Sequence, residues 1–177
     1  MPLCTRHGAR RPGLGCAFGR PGFVRSRSSR RRRLPRRQAS GYRLAMRSLG
    51  LAAEIDVVST TYTQRGGYEG AKELLARPGR PTAVFAGADI VAMGVLEAFT
   101  EAGLSVPGDI SVAGYDNTTF AAFGPISLTS VDQAGTEIGS NAARLLLERI
   151  ADRRKTSVQV KLSPSLVPRR TTAPPPE

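Results

Sequence analysis

An aspartate and an asparagine close the apolar run Ile110-Ser111-Val112-Ala113-Gly114-Tyr115-Asp116-Asn117. A carboxylate can accept hydrogen bonds from two neighbouring hydroxyls, which is what a sugar or a nucleoside presents. The same dipeptide also builds turns in which its side chains bond local backbone, and residue type alone leaves both readings open. Asp89 stands directly before Ile90-Val91-Ala92, where an aspartate suits the N-cap of a helix. Other chemistry finds no constellation. The single histidine, His7, and both cysteines, Cys4 and Cys16, fall at the start of the chain. Residues 39–177 hold no nucleophile–base pair and no metal-ligand set, so neither an enzyme nor a bound cofactor or metal is expected.

A formal net charge of +12 would suggest a nucleic-acid or membrane partner. Its placement argues otherwise. Residues 1–38 hold 12 of the 26 basic residues and none of the 14 acidic ones, so the rest of the chain is neutral. This leader, 1–38, is rich in arginine, glycine and proline, ends in Arg30-Arg31-Arg32-Arg33-Leu34-Pro35-Arg36-Arg37, and is expected to be disordered. It could act as a basic arm on phosphates or as an organelle transit peptide. The preferred reading is a third one: twelve arginines without a lysine is what GC-rich DNA gives in a shifted frame or from a misplaced start. No apolar run approaches the roughly 20 residues of a membrane helix, and no secretory signal is visible. A cytoplasmic protein without membrane contact is the expectation.

From Ala39 the pattern alternates. Helices are predicted over Gly41–Leu49, Gly67–Arg77, Ile90–Ala102 and Gly135–Ala151. Strands are predicted at Ile55–Val58, Thr82–Ala86, Ile110–Tyr115, Leu128–Val131, Val158–Leu162 and Leu166–Arg169. This is the signature of an α/β parallel sheet with helices on both faces. The helix Ile90–Ala102 is apolar on two stripes, Ala92, Leu96 and Phe99 on one and Val91, Val95 and Ala98 on the other. Deep burial explains that, and so does a subunit interface formed by Val91, Val95 and Ala98.

Four blocks carry a family resemblance: Ala88-Asp89-Ile90-Val91-Ala92-Met93-Gly94, Val106 to Asn117, Leu128-Thr129-Ser130-Val131-Asp132-Gln133 and Ser165-Leu166-Val167-Pro168-Arg169. In this order and spacing the chain resembles the lac repressor-type (LacI/GalR) transcription regulators over about residues 39–173, leaving 174–177 as a tail. The resemblance implies a periplasmic-binding-protein-like sensor fragment: the C-terminal lobe plus part of an incomplete first lobe. In that family two lobes close over a small effector, a separate N-terminal head reads operator DNA, and the chains dimerise. Asp116 would then point into the cleft at a strand's carboxyl end. Tyr62, five residues before Gly67, stands where the family places an aromatic that stacks on the effector ring. Two positions depart from the pattern. Ala88 replaces the family's ligand-contacting asparagine, so that contact is lost. Gln38 stands where an effector-clamping arginine is usual, with Arg37 one residue out of register.

The expected function is thus the effector-sensing domain of a repressor answering to a sugar or nucleoside-like molecule, with a solute-binding protein for transport as the runner-up. The helix-turn-helix, the hinge helix and the first lobe are not seen in the sequence. On this reading Leu145, Leu146 and Ile150 of the long helix face a missing lobe, forgoing about 1.5–3 kcal/mol each.

Overall fold

Short apolar runs bounded by glycine, proline and polar residues become strands here because parallel pairing buries them on both faces. The structure is a computed structural model and describes residues 21–27, 35–153 and 155–174. In chain order the elements are β1 (Pro21–Arg27), α1 (Pro35–Ser48), a short 3₁₀ turn (Ala52–Glu54), β2 (Asp56–Thr61), α2 (Gln64–Leu75), β3 (Ala83–Ala86) and α3 (Asp89–Glu101). There follow β4 (Ser111–Tyr115), α4 (Thr119–Ala122), β5 (Thr129–Asp132), α5 (Gly135–Ile150) and β6 (Ser165–Val167). All six strands join one sheet in the order β2-β1-β3-β4-β5-β6. The first five run parallel, and β6 returns antiparallel along β5.

Right-handed crossovers fix where the helices lie. The step from β1 to β2 goes one way along the sheet, while the steps from β2 to β3 and from β3 to β4 go the other. That puts α1 on one face and α2 with α3 on the opposite face. α2 and α3 pack on each other and on the strands between them. They can do so closely because glycines meet at the crossing. A Cβ on Gly94 would lie 1.8 Å from the Gln64 carbonyl oxygen, and one on Gly67 would lie 2.0 Å from that of Val91. The core between this helix pair and the sheet holds Val58, Leu74, Val84, Val91, Val95, Phe99, Ile110, Val112 and Leu128, all essentially without exposure.

Several expectations need correcting. The segment read as a structureless leader contributes β1, paired on both edges, and the first residues of α1. Ladder bonds from two neighbours supply what the local composition does not. His7, Cys4, Cys16 and Arg30–Arg33 lie outside the described residues. Val158–Leu162 is not a strand. A strand needs a ladder, and the edge of β5 on that side is taken by β6. Val91, Val95 and Ala98 cannot form a subunit interface, since all three are buried inside this chain, so α3 is a deeply packed helix. α2 begins three residues earlier than its apolar pattern, because Thr63 caps it by accepting the Gly66 N–H at 3.0 Å. The long helix α5 has no buried residue at all, and Ile138, Leu146, Leu147 and Ile150 are exposed.

Candidate functional site

Five parallel strands end on one edge of the sheet, so the residues just beyond them share a rim. The strand order reverses between β1 and β3, and in open α/β sheets ligands bind outside the carboxyl ends at such a point. Here Gln38 on α1 donates its side-chain N–H to the Gly87 carbonyl, 3.2 Å away, across the reversal. Ala88 follows, fully buried and with no side-chain bond at the start of α3. Its methyl group belongs to the apolar core beneath the rim.

Asp116 and Asn117 come next along the rim, after β4. Both have left-handed backbone, with φ 109° and 51°. Asp and Asn enter that region more readily than other residues with side chains. The Asp116 N–H is held by the Val131 carbonyl at 3.0 Å. The Asp116 carboxylate bonds no local backbone. Its Oδ2 accepts from the Tyr62 hydroxyl at 2.7 Å and its Oδ1 from the Gln133 side-chain amide at 3.0 Å. The two sequence-predicted residues, Asp116 and Tyr62, therefore meet. They do so from strands three positions apart, roughly 14 Å at the usual strand spacing, so the loop after β2 leans across the rim. Tyr62 keeps 48% of its surface exposed, leaving ring area open.

Asn117 plays a different part. Its side chain donates to Asp132 at 3.0 Å and accepts from Arg169 at 2.7 Å, while its backbone N–H goes to Ser130 Oγ at 3.1 Å. It is committed to its neighbours, as a turn residue would be. Asp89 is not the N-cap that its position suggested. Ala88 occupies the cap, and the buried Asp89 carboxylate instead accepts from Thr118 and Ser130.

Electrostatics follow from these contacts. Burial pushes the Asp116 carboxyl above the ordinary range, the charge of Asp89 adds to it, and the Tyr62 hydrogen bond opposes it. Burial also raises the Tyr62 phenol, helped by the bond to Asp116 and by the charges of Asp116 and Asp89, so it stays protonated and donating. Asp132 is held lower by the Asn117 hydrogen bond and the Ala134 backbone N–H. The result is a carboxylate with spare lone pairs, a phenol ring beside it and an amide behind it. Such a group can hold adjacent hydroxyls and cover one apolar face of a ring. Sequence reasoning missed Gln133, Ser130, Thr118 and Arg169. Gln133, Ser130 and Arg169 sit in blocks already matched to the family, and that match was the available signal.

The chain matches the family model described as a periplasmic binding protein-like domain over residues 5–172. It is 42% identical over 117 residues to the HTH-type transcriptional repressor PurR of Salmonella typhi, covering 66% of this chain and 34% of that protein. The chain thus spans about a third of the curated relatives it matches. Among solved structures it resembles a LacI transcriptional regulator from Rhodococcus at TM-score 0.81 and 33% identity, covering 89% of this chain and 57% of that one. A LacI family regulator from Enterococcus faecium with bound ribose gives TM-score 0.77 and 28% identity, over 89% of this chain and 57% of that one. Among the described residues no helix is long and apolar enough to cross a membrane.

Proposed function

Because the chain belongs to the periplasmic binding protein-like family, as an effector-binding domain of the LacI/GalR type, we propose that it senses a sugar or nucleoside for a DNA-binding transcriptional repressor. The observation that carries this reading is the hydrogen-bonded set Tyr62–Asp116–Gln133 on the carboxyl rim of the sheet. Adjacent hydroxyls of the effector take the open lone pairs of Asp116, and its ring lies against Tyr62. A second lobe closes over it. Closure shifts a two-state equilibrium that a DNA-binding head reads. The effector gains no polar contact from Ala88, so Asp116 carries more of the recognition than a site with asparagine there would require.

The test is calorimetric titration of the chain with D-ribose, glucose, cellobiose and adenosine, beside thermal melts. Asp116→Ala removes a charged acceptor, worth about 1.5–3 kcal/mol or roughly 10- to 150-fold in affinity. Tyr62→Ala removes stacking area and should cost less. Unaltered affinity in Asp116→Ala, whatever its melting point, ends the assignment. If none of the four binds, the sugar-or-nucleoside reading goes.

Operator recognition belongs to a head domain. The chain itself should bind DNA only through its arginines, without sequence preference and with steep salt sensitivity. A salt-resistant preference for one operator in a gel shift would overturn this. A homodimer is proposed through the exposed Phe120 and Phe123, which lie in and directly after the short helix α4 that follows Thr118, rather than through α3. Sedimentation of Phe123→Ser should then show a monomer where the parent is a dimer.

A further inference from the structure

Asp89 is 1% exposed and makes none of the effector contacts described above. A carboxylate is retained in such a place only if its lone pairs are filled. Three donors fill them. Its Oδ2 accepts the Thr118 N–H at 2.7 Å and the Thr118 hydroxyl at 2.9 Å, and its Oδ1 accepts the Ser130 hydroxyl at 2.6 Å. Every one of these partners borders the Asp116–Asn117 turn. Thr118 is the next residue in the chain. Ser130 passes the contact on, since its oxygen accepts the Asn117 N–H at 3.1 Å. The turn so gripped is the left-handed pair at φ 109° and 51°, a backbone state that residues with side chains hold only when their surroundings over-determine it.

Space is also kept for this carboxylate. A Cβ at Gly114, in β4, would fall 2.4 Å from Asp89 Oδ1 and 2.9 Å from a Leu128 methyl. The strand that leads into Asp116 is bare at the point where Asp89 reaches past it. The same acid thus contacts the strand before the turn, the residue after it and, through Ser130, the turn itself.

We propose that Asp89 is a positioning residue: it holds the Asp116–Asn117 turn in its left-handed form and so sets where Asp116 presents its carboxylate on the rim. Its consequence for ligand affinity rests on the effector reading; its consequence for backbone conformation does not.

The experiment is amide hydrogen exchange on the full chain without ligand, comparing parent with Asp89→Asn. The amide keeps the volume but offers a donor where an acceptor is needed, so one of the bonds from Thr118 or Ser130 is lost. The amides of Asn117 and Thr118 should exchange about tenfold faster or more, while those of Val95 and Ala98 in α3 keep the parent rate. Unchanged exchange at 117–118, or a uniform rise along the chain, overturns the proposal, the second being what a merely structural acid would give. If Asp89→Asn does not fold, Ser130→Ala cuts the link to Asn117 with the carboxylate intact and should loosen the same two amides; protection retained there overturns it equally. A second arm titrates D-ribose. Asp89→Asn should weaken binding about tenfold in the parent and no further in Asp116→Ala. Equal weakening in both backgrounds counts against positioning. If ribose does not bind, this arm uses whichever of the four ligands does; if Asp116→Ala leaves that ligand's binding untouched, or none of the four binds, it is the effector reading that fails, and the exchange arm alone decides on Asp89.

Discussion

α3 and α5 are helices of similar length, 13 and 16 residues, and each carries enough apolar side chains to bury a face. Their fates are opposite. Seven residues of α3 are buried, including Val91, Val95 and Phe99, and none of α5 is. Ile138, Leu146, Leu147 and Ile150 stand 47–72% exposed. The cause is topological rather than compositional. α3 is the crossover between two adjacent parallel strands, so the sheet lies beneath it and α2 beside it. α5 leaves the last parallel strand through Ala134, whose φ of 60° turns the chain, and the segment that follows returns only as the three-residue β6. An apolar stripe says what a helix is able to bury; the strand order says whether it does.

Four measurements can break or sharpen that contrast, taken in falling order of effect. Phe99→Ala should cost about 3–5 kcal/mol by chemical denaturation, the range for emptying a packed aromatic site. Gly94→Ala should cost about 1–3 kcal/mol, because the added methyl meets backbone of α2 rather than a movable side chain. A smaller effect belongs to the half-buried Asp116. Its raised folded-state value means the folded chain holds that proton more tightly than the unfolded chain. Its contribution is therefore favourable below the unfolded value of about 3.8 and is lost as pH rises through the folded value. Melts of Asp116→Asn from acid to neutral pH should show the variant gaining on the parent as pH rises. Asp132, held lower, acts with the opposite sign: its contribution is present above the unfolded value and fades as pH falls through the folded one. Smallest of all, Leu146→Ala should change stability by within about 0.5 kcal/mol. A loss near that of Phe99→Ala would mean α5 is covered in solution, and the contrast would collapse.

The strands from β2 onward were legible, though not their order in the sheet, because they are short apolar runs with turn residues between them, Ala83–Ala86 and Ser111–Tyr115 most plainly. So was the rim position of Asp116. β1 was not legible, because Pro21–Arg27 mixes proline, glycine and arginine, and what makes it a strand is pairing with β2 and β3, both distant in sequence. The Val158–Leu162 run shows the converse, strand-like spacing without a neighbour. For α3, the residue pattern allowed burial or an interface, and only the close crossing at Gly67 and Gly94 decides between them. Asp89 misled because an aspartate before a helix is usually a cap. Here its side chain turns instead toward Thr118 and Ser130, partners 29 and 41 residues away in sequence. Gln133 was hidden for a related reason, since its target lies on another strand.

The two ends of the sheet bear on how the chain avoids its own copies. One edge is β6, three residues long, and the other is β2, Asp56-Val57-Val58-Ser59-Thr60-Thr61. An unpaired strand invites another to dock by hydrogen bonding, and proteins discourage this with very short or charged edges. β6 offers almost no ladder. β2 opens with Asp56, ion-paired to Arg77, and exposes Ser59 and Thr61. Its apolar pair, Val57 and Val58, is thus flanked by a carboxylate and a row of hydroxyls, a poor template for fibrous growth by this family of sheets.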